Sequence, residues 1–574
     1  VTVGMARDRA VAAAPAKTGR SRDTGTGERS AVTLAYGPEP LPERPLRSYQ
    51  SYIGGRDVEG EGWVYTVSAA SLLEDVFTSV GLKRALERDP DPGSAAARHP
   101  YVVGRVAVAG DAGCAAALEA AAAAAPVWAA APLDRRMSLG PLFRQQLTRR
   151  REEFLDLLVA EGHPRRLARW QLSGLMEMHG PESCAYYRQC MHTEFRHAGR
   201  RLIVHRRPDG VVCLNPPQNA PGPSAALAVL MLMAGNAVVV RAPRSIALST
   251  MYVVHELVAP VLREAGAPPG VLGAVCGNPG RMIDQWLDSP LVDDIFYIGG
   301  TEEGLRLQQR CVAAGKKPIL ELAGNDGLVV WKDADLPLAA EAVAEAFYGS
   351  GQICMVPNYV LVHPDVADAL LTEVVRAAHD IRPGHPGEED VLLSPVRRSE
   401  RFFALLHQAL DAGAELVCGG HRTEADGTRS DTGVFLEPTV VRVDGLARAR
   451  ELDMVRRETF FPLLPVVVAE PAEDGPLLES CIDFLNTNEY GLRNSLWARD
   501  DRVVEAFVGR VANGGLLKVN DSHIGFLPCL PTHGGTGLTG GVHGEGNYPI
   551  LKTSHVQGVS ISPGTGPRAT VFGV

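Results

Sequence analysis

PILELAGNDG (residues 318–327) and FYGSGQICMVP (residues 347–357) decide the reading of this chain. The first carries Glu321 just before an Ala-Gly turn, and the second carries Cys354 just after a Gly-Ser-Gly turn. A thiolate attacks a carbonyl carbon to form a covalent adduct. A carboxylate nearby can activate the water that later releases the acyl group. Alone, Glu321 reads as a surface carboxylate beside a glycine turn, and Cys354 as a buried core thiol. Together, thirty-three positions apart and in these flanks, they point to acyl chemistry. A helix terminus or oriented dipoles at Cys354 would hold its thiol below the free value of about 8.5.

Outward from these stretches the chain reads as two successive α/β units. VVCLN, AVVVRA, VLGAVCG, DIFYIGG and GLVVW alternate with helical segments from Arg201 onward, the rhythm of a parallel sheet with crossover helices. After Cys354 a second series follows in YVLVHPDV, FLEPTVVRV, PLLPVVVAEP and LLKVND. IFYI runs into GGTEEG, where Gly299, Gly300 and Gly304 shape a turn and a helix begins at about Thr301. Free N–H groups at that helix start could hold a diphosphate. No GxGxxG fingerprint follows a strand.

The glutamate and cysteine stretches resemble the catalytic signatures of the aldehyde dehydrogenase superfamily. YIGGTEEG (297–304) and RETFFP (457–462) are similar to further motifs of that family and stand in its order, and the likeness covers roughly residues 50 to 560. It implies an α/β fold with a Rossmann-type cofactor domain (46–195 and 217–322) and an α/β catalytic domain (323–540). It also implies a protruding oligomerisation β-hairpin with a late strand (196–216 and 541–562). It further implies oxidation of an aldehyde to an acid through a cysteine thioester. Cys354 would be the nucleophile and Glu321 the deacylating base. Asn219 in GVVCLNPPQNAPG would be an oxyanion donor with the Cys354 N–H; Asn215, also before a proline, is its rival.

VVVRAPRS resembles the family's adenosine-ribose segment. Arg241 stands where lysine is common and Arg244 where an acid usually binds the ribose hydroxyls, so the cofactor expected is NADP or NAD, with the arginine favouring the 2′-phosphate. Glu458 would hold the nicotinamide ribose, with Phe460 packing beside it. Gly300 replaces a serine of the family turn. PTHGGTGLTGGVHGEG departs further, with His533, Gly537 and Thr539 at altered positions. The alternatives are NADPH-dependent reduction of an activated acyl group, aromatic or otherwise, supplied by an acyl-activating partner enzyme, and a catalytically inactive binding or scaffold protein of the same fold.

The remaining composition sets bounds. The 574 residues are 45% hydrophobic and 22% charged, with a net charge of −10, which argues against a nucleic-acid partner. Ten cysteines without a CxxC pair fit free thiols in a reducing cytoplasm, and no metal-ligand ladder is visible. SAALAVLMLMAGNAVVV reads as a buried helix and strand, so no membrane span is expected. Residues 1–45 read as a disordered tail. HAGRRLIVHRRPDGVV reads as a hairpin turning at Pro-Asp-Gly, and YPILKTSHVQGVSI as an exposed strand. Through these the family resemblance implies a homo-oligomer, dimer or tetramer, acting on a small aldehyde or acyl substrate. LLEDVFTSVGLKRALER within 71–100 reads as a helix on an insert that the family pattern does not account for.

Overall fold

The computed structural model describes residues 46–572, apart from positions 90, 92, 95, 472 and 565; the tail expected over 1–45 lies outside the described residues. Runs such as VVCLN and AVVVRA are buried along their whole length, as strands covered on both faces by helices must be. The larger sheet has the order Arg47–Tyr49, Val102–Val108, Leu272–Cys276, Ala237–Ala242, Val211–Asn215, Asp294–Ile298, Lys317–Glu321. Every pairing along that path is parallel. The chain order reverses at Val211–Asn215. Such a switch opens a crevice at the carboxyl ends of the strands, where open α/β sheets bind ligands.

The second sheet runs Glu415–Cys418, Thr439–Asp444, Leu463–Val468, Pro357–Val362, Asp326–Val330, Arg493–Trp497, Leu516–Val519. GLVVW, expected to continue the first series, belongs here: Asp326–Val330 pairs with Pro357–Val362 and Arg493–Trp497. The chain therefore crosses between sheets at Leu322–Asn325, inside the glutamate motif. The edge strand Lys317–Glu321 was not among the expected strands.

Two expectations about the projecting elements are corrected. The hairpin pairs His192–His197 with Arg200–Pro208 and turns at Ala198–Gly199, both with positive φ (47° and 74°), whereas Pro-Asp-Gly only leads into the next strand. That strand, Val211–Asn215, is an inner strand of the larger sheet and not part of the 196–216 element. YPILK is no strand. Pro549–Lys552 is a helical turn with Ile550 in the core, and the third strand of the projecting sheet is Ser554–Ile561, antiparallel to Arg200–Pro208.

The insert forms two helices, Ala69–Glu74 and Val76–Arg88, broken at Asp75, whose carboxylate caps the second by accepting from the Thr78 N–H at 2.9 Å. Leu82 and Leu86 bury against Val67 and Ala97. Asp111–Ala129 is the one helix among the described residues long and apolar enough to cross a membrane, and it packs Cys114, Leu118, Ala121 and Trp128 into the core. Pro126 sits in its last turn and ends it soon after. The following charged stretch is two helices, Leu139–Arg149 and Arg151–Ala160, joined at Arg150.

Candidate active site

The crossover brings the two signature motifs into contact. Gly324 lies so close to the cysteine segment that a Cβ there would fall 2.0 Å from the Cys354 carbonyl oxygen, so only glycine fits. The Gly324 N–H donates to Glu458 Oε1 at 3.2 Å, which draws RETFFP into the same place. Gly351, at φ +70°, has the Phe461 carbonyl where its Cβ would be, so the Gly-Ser-Gly turn abuts that motif as well. Ser350 fixes the turn, donating to the Ser394 carbonyl at 2.6 Å and accepting from the Ser394 N–H at 3.0 Å. The late glycine-rich stretch clamps the other side: the Leu322 N–H donates to the Thr539 carbonyl at 2.9 Å, and Thr539 Oγ1 donates to the Ala323 carbonyl at 2.8 Å.

Asn219 Nδ2 donates to the Gln352 carbonyl at 3.1 Å, two residues before Cys354. A His163 ring nitrogen lies 3.0 Å from the Asn219 carbonyl. Asn215 is elsewhere, its Oδ1 accepting from Arg241 Nε at 2.6 Å. Glu321 is buried at the end of its strand and accepts from Asn547 Nδ2 at 2.8 Å, while its second oxygen is buried without a partner.

The electrostatics overturn one expectation. Burial, then the nearby carboxylates of Glu458 and Asp326, push the Cys354 thiol up to about 12, against a smaller opposing pull from Arg493. The thiol is therefore neutral at pH 7, not a preformed thiolate. For a half-buried thiol, desolvation and the neighbouring carboxylates outweigh any local dipole. Burial also raises Glu321 well above the carboxylate range, opposed by the Asn547 hydrogen bond. Glu458 is pushed up to about 8 by burial, opposed by the Gly324 N–H. Raised carboxyls clustered at one thiol are what proton-transfer chemistry near neutrality requires.

At the carboxyl end of Asp294–Ile298, the Gly299 N–H donates to the Glu321 carbonyl at 3.0 Å, and Gly300 caps the helix Thr301–Ala313 without a side-chain bond. Thr301 Oγ1 is buried there with no partner, and open space surrounds the place of a Gly300 Cβ. Gly304 lets the helix rest on Leu322, whose Cδ2 lies 2.2 Å from where a Cβ would be. Glu302 and Glu303 in the first turn both pair with Arg306. Arg241 is buried, whereas Arg244 is exposed and in no ion pair among the described residues. Phe460 has the left-handed φ of 60°, rare for an aromatic. These glycines, the orphan hydroxyl and the free helix start fit a dinucleotide at the switch point.

Asn547 and Arg401, whose Nη2 donates to the Glu458 carbonyl at 3.3 Å, were missed from sequence. An asparagine after a glycine run reads as a turn residue, and an arginine on a helix as a solvated charge. His533 is half-buried, bonded to Thr532 at 2.7 Å and held down to about 4 by desolvation, so it is a neutral structural histidine. Among the described residues no cluster of potential metal ligands occurs.

Residues 93–559 match the model of the aldehyde dehydrogenase family. The chain belongs to that family. It is 31% identical over 428 residues to vanillin dehydrogenase of Pseudomonas fluorescens, covering 72% of this chain and 83% of that protein. It is 29% identical over 415 residues to the NADP+-dependent succinate-semialdehyde dehydrogenase GabD of Escherichia coli, covering 71% and 81%. The fold matches a crystal structure of an NAD-dependent aldehyde dehydrogenase from Sinorhizobium meliloti with a TM-score of 0.74 at 23% identity, covering 92% of this chain and 97% of that one.

Proposed function

We propose that this aldehyde dehydrogenase family member oxidises an aldehyde to a carboxylic acid through a thioester on Cys354, using NADP+ or NAD+. The observation that carries this reading is the contact of Gly324 with the Cys354 backbone, which joins the strand end bearing Glu321 to the cysteine. Cys354 gives its proton to water and its sulfur adds to the aldehyde carbon. The oxygen becomes an alkoxide, accepting from Asn219 Nδ2, which has a second N–H beyond the one given to Gln352, and from the Cys354 N–H. NAD(P)+, when bound, supplies the two-electron acceptor. Loss of hydride from the adduct carbon leaves a thioester. The Glu321 carboxylate then takes a proton from water, whose oxygen attacks the thioester carbon; the C–S bond breaks, the leaving sulfur takes a proton back from Glu321, and the acid leaves.

Gly299, Gly300, Gly304 and the start of Thr301–Ala313 would hold the diphosphate, Arg241 and Arg244 the adenosine side, and Glu458 with Phe460 the nicotinamide ribose and ring. On this reading the half built on the larger sheet holds the cofactor and the other half the thiol. The projecting sheet exposes Phe195, Val204, Val556 and Ile561, apolar side chains suited to a neighbouring subunit in a homo-oligomer. All ten cysteines are free, in keeping with a reducing cytoplasm.

The test is absorbance of reduced nicotinamide with a panel of aldehydes. Wild type is expected to reduce cofactor and Cys354→Ala to bind cofactor without turnover. Normal turnover in that variant would refute the mechanism.

A further inference from the structure

The thiol stands beside an apolar patch that the proposed chemistry does not itself need. Met355, Leu492 and Ile524 are buried together, and Trp170, Cys354 and Phe526 pack against them. Trp170 and Phe526 stack with ring centroids 5.1 Å apart and planes 29° off parallel. Trp170 Nε1 donates to the Ile524 carbonyl at 3.2 Å. Gly174, one turn on from Trp170, leaves room for the Phe526 ring, which would lie 2.5 Å from a Cβ there.

The loop carrying Ile524 and Phe526 is held by three buried charges. Arg493, 2% exposed, donates from Nη1 to the His523 carbonyl at 2.8 Å and from Nη2 to the Thr532 carbonyl at 3.0 Å. Lys518 Nζ donates to the carbonyls of Ser522 and Gly525, each at 2.6 Å. The Glu345 carboxylate accepts from Ser522 Oγ at 2.5 Å and from the Ile524 N–H at 3.0 Å. The cations next to the patch thus direct these N–H groups at the loop backbone, where they rigidify a wall and leave little for a charged substrate.

We infer that the aldehydes taken by this site are apolar and planar, with Trp170 and Phe526 as the specificity residues and Arg493, Lys518 and Glu345 as positioning residues for their loop. An aromatic ring attached to the carbonyl carbon would lie on that wall with the carbonyl at Cys354 Sγ. A carboxylate at the far end of a chain would be desolvated there without a partner. The relatives act on both kinds of aldehyde by name, so likeness alone does not choose between them. This inference rests on the proposed oxidation.

The full chain with NADP+ would be assayed on benzaldehyde, propanal and succinate semialdehyde. The expected kcat/KM for benzaldehyde exceeds that for succinate semialdehyde by at least about tenfold. Trp170→Ala and Phe526→Ala are expected to lower the benzaldehyde-to-propanal ratio of kcat/KM by roughly tenfold, mainly through KM. Trp170→Phe, which keeps an aromatic face, should restore much of it and covers the case that the alanine variants fold poorly. Arg493→Met should raise KM for benzaldehyde more than it lowers kcat. A preference for succinate semialdehyde, or an unchanged ratio in folded Trp170→Ala and Trp170→Phe, would overturn the inference and leave the oxidation standing. Absence of Cys354-dependent oxidation of any aldehyde would overturn both.

Discussion

Asn547 Nδ2 donates a 2.8 Å hydrogen bond to Glu321 Oε1, and both residues are buried. Among the described residues it is the one donor acting against the burial that raises this carboxyl. A bond to a charged group contributes about 1.5–3 kcal/mol, equivalent to roughly one to two pH units. Asn547→Leu removes the donor, so Glu321 should hold its proton to higher pH. The limb of the steady-state pH profile that reports the base is expected to move up by about one to two units, with the burst of reduced cofactor little changed. An unmoved limb would mean that Asn547 is structural only.

Cys354 reactivity should carry the mark of its burial. A thiol pushed up to about 12 gains thiolate throughout the range around neutrality. Alkylation by iodoacetamide in cofactor-free protein is therefore expected to rise about tenfold per pH unit from pH 7 to 9, without the plateau of an ordinary cysteine. Glu458→Gln removes the carboxylate that contributes most after burial. Because Glu458 ionises near 8, the variant should react faster than wild type above pH 8 and alike below about 7.

The contribution of the raised carboxyls to stability should fall with rising pH for a related reason. Folded Glu458 keeps its proton up to about 8, whereas the unfolded chain releases it near the ordinary carboxylate value. Its contribution is full below that ordinary value and is lost as pH rises through about 8; Glu321 and Asp326, also raised by burial, act in the same direction. Relative to wild type, Glu458→Gln is expected to gain melting temperature as pH rises from 5 to 9, because the variant lacks this loss. A difference between the two proteins that does not change with pH would contradict it.

Cofactor choice tests the exposed Arg244. A charge-assisted contact with a 2′-phosphate would give roughly a ten- to hundredfold preference for NADP+. Arg244→Glu should move selectivity toward NAD+, chiefly through affinity. Titration of both cofactors against both proteins checks this, and equal selectivity before and after would place Arg244 in solvent.

What could be read in advance follows from where the physics is local. Fully apolar runs such as AVVVRA announce buried parallel strands, and LELAG and GSGQICM, read together in the sequence, lie in contact in the fold. GLVVW follows the rhythm of the first series yet pairs in the second sheet, because a strand buried on both faces carries no mark of its neighbours. Pro208-Asp209-Gly210 has turn chemistry, yet the hairpin turns at Ala198–Gly199, where pairing across Arg200–Pro208 and Ser554–Ile561 outweighs local preference. The bond from Asn547 to Glu321 spans 226 positions, and the raised thiol of Cys354 depends on burial and on the carboxylates of Glu458 and Asp326, which no spacing reveals.

The thioester on Cys354 is the central claim, and mass spectrometry of Glu321→Gln tests it most directly. Mixed with benzaldehyde and NADP+ and quenched within the first turnovers, this variant is expected to carry one acyl group on the peptide containing Cys354, with a matching burst of reduced cofactor and slow release of acid. An unmodified Cys354 in a variant that still forms acid at the wild-type rate would contradict it.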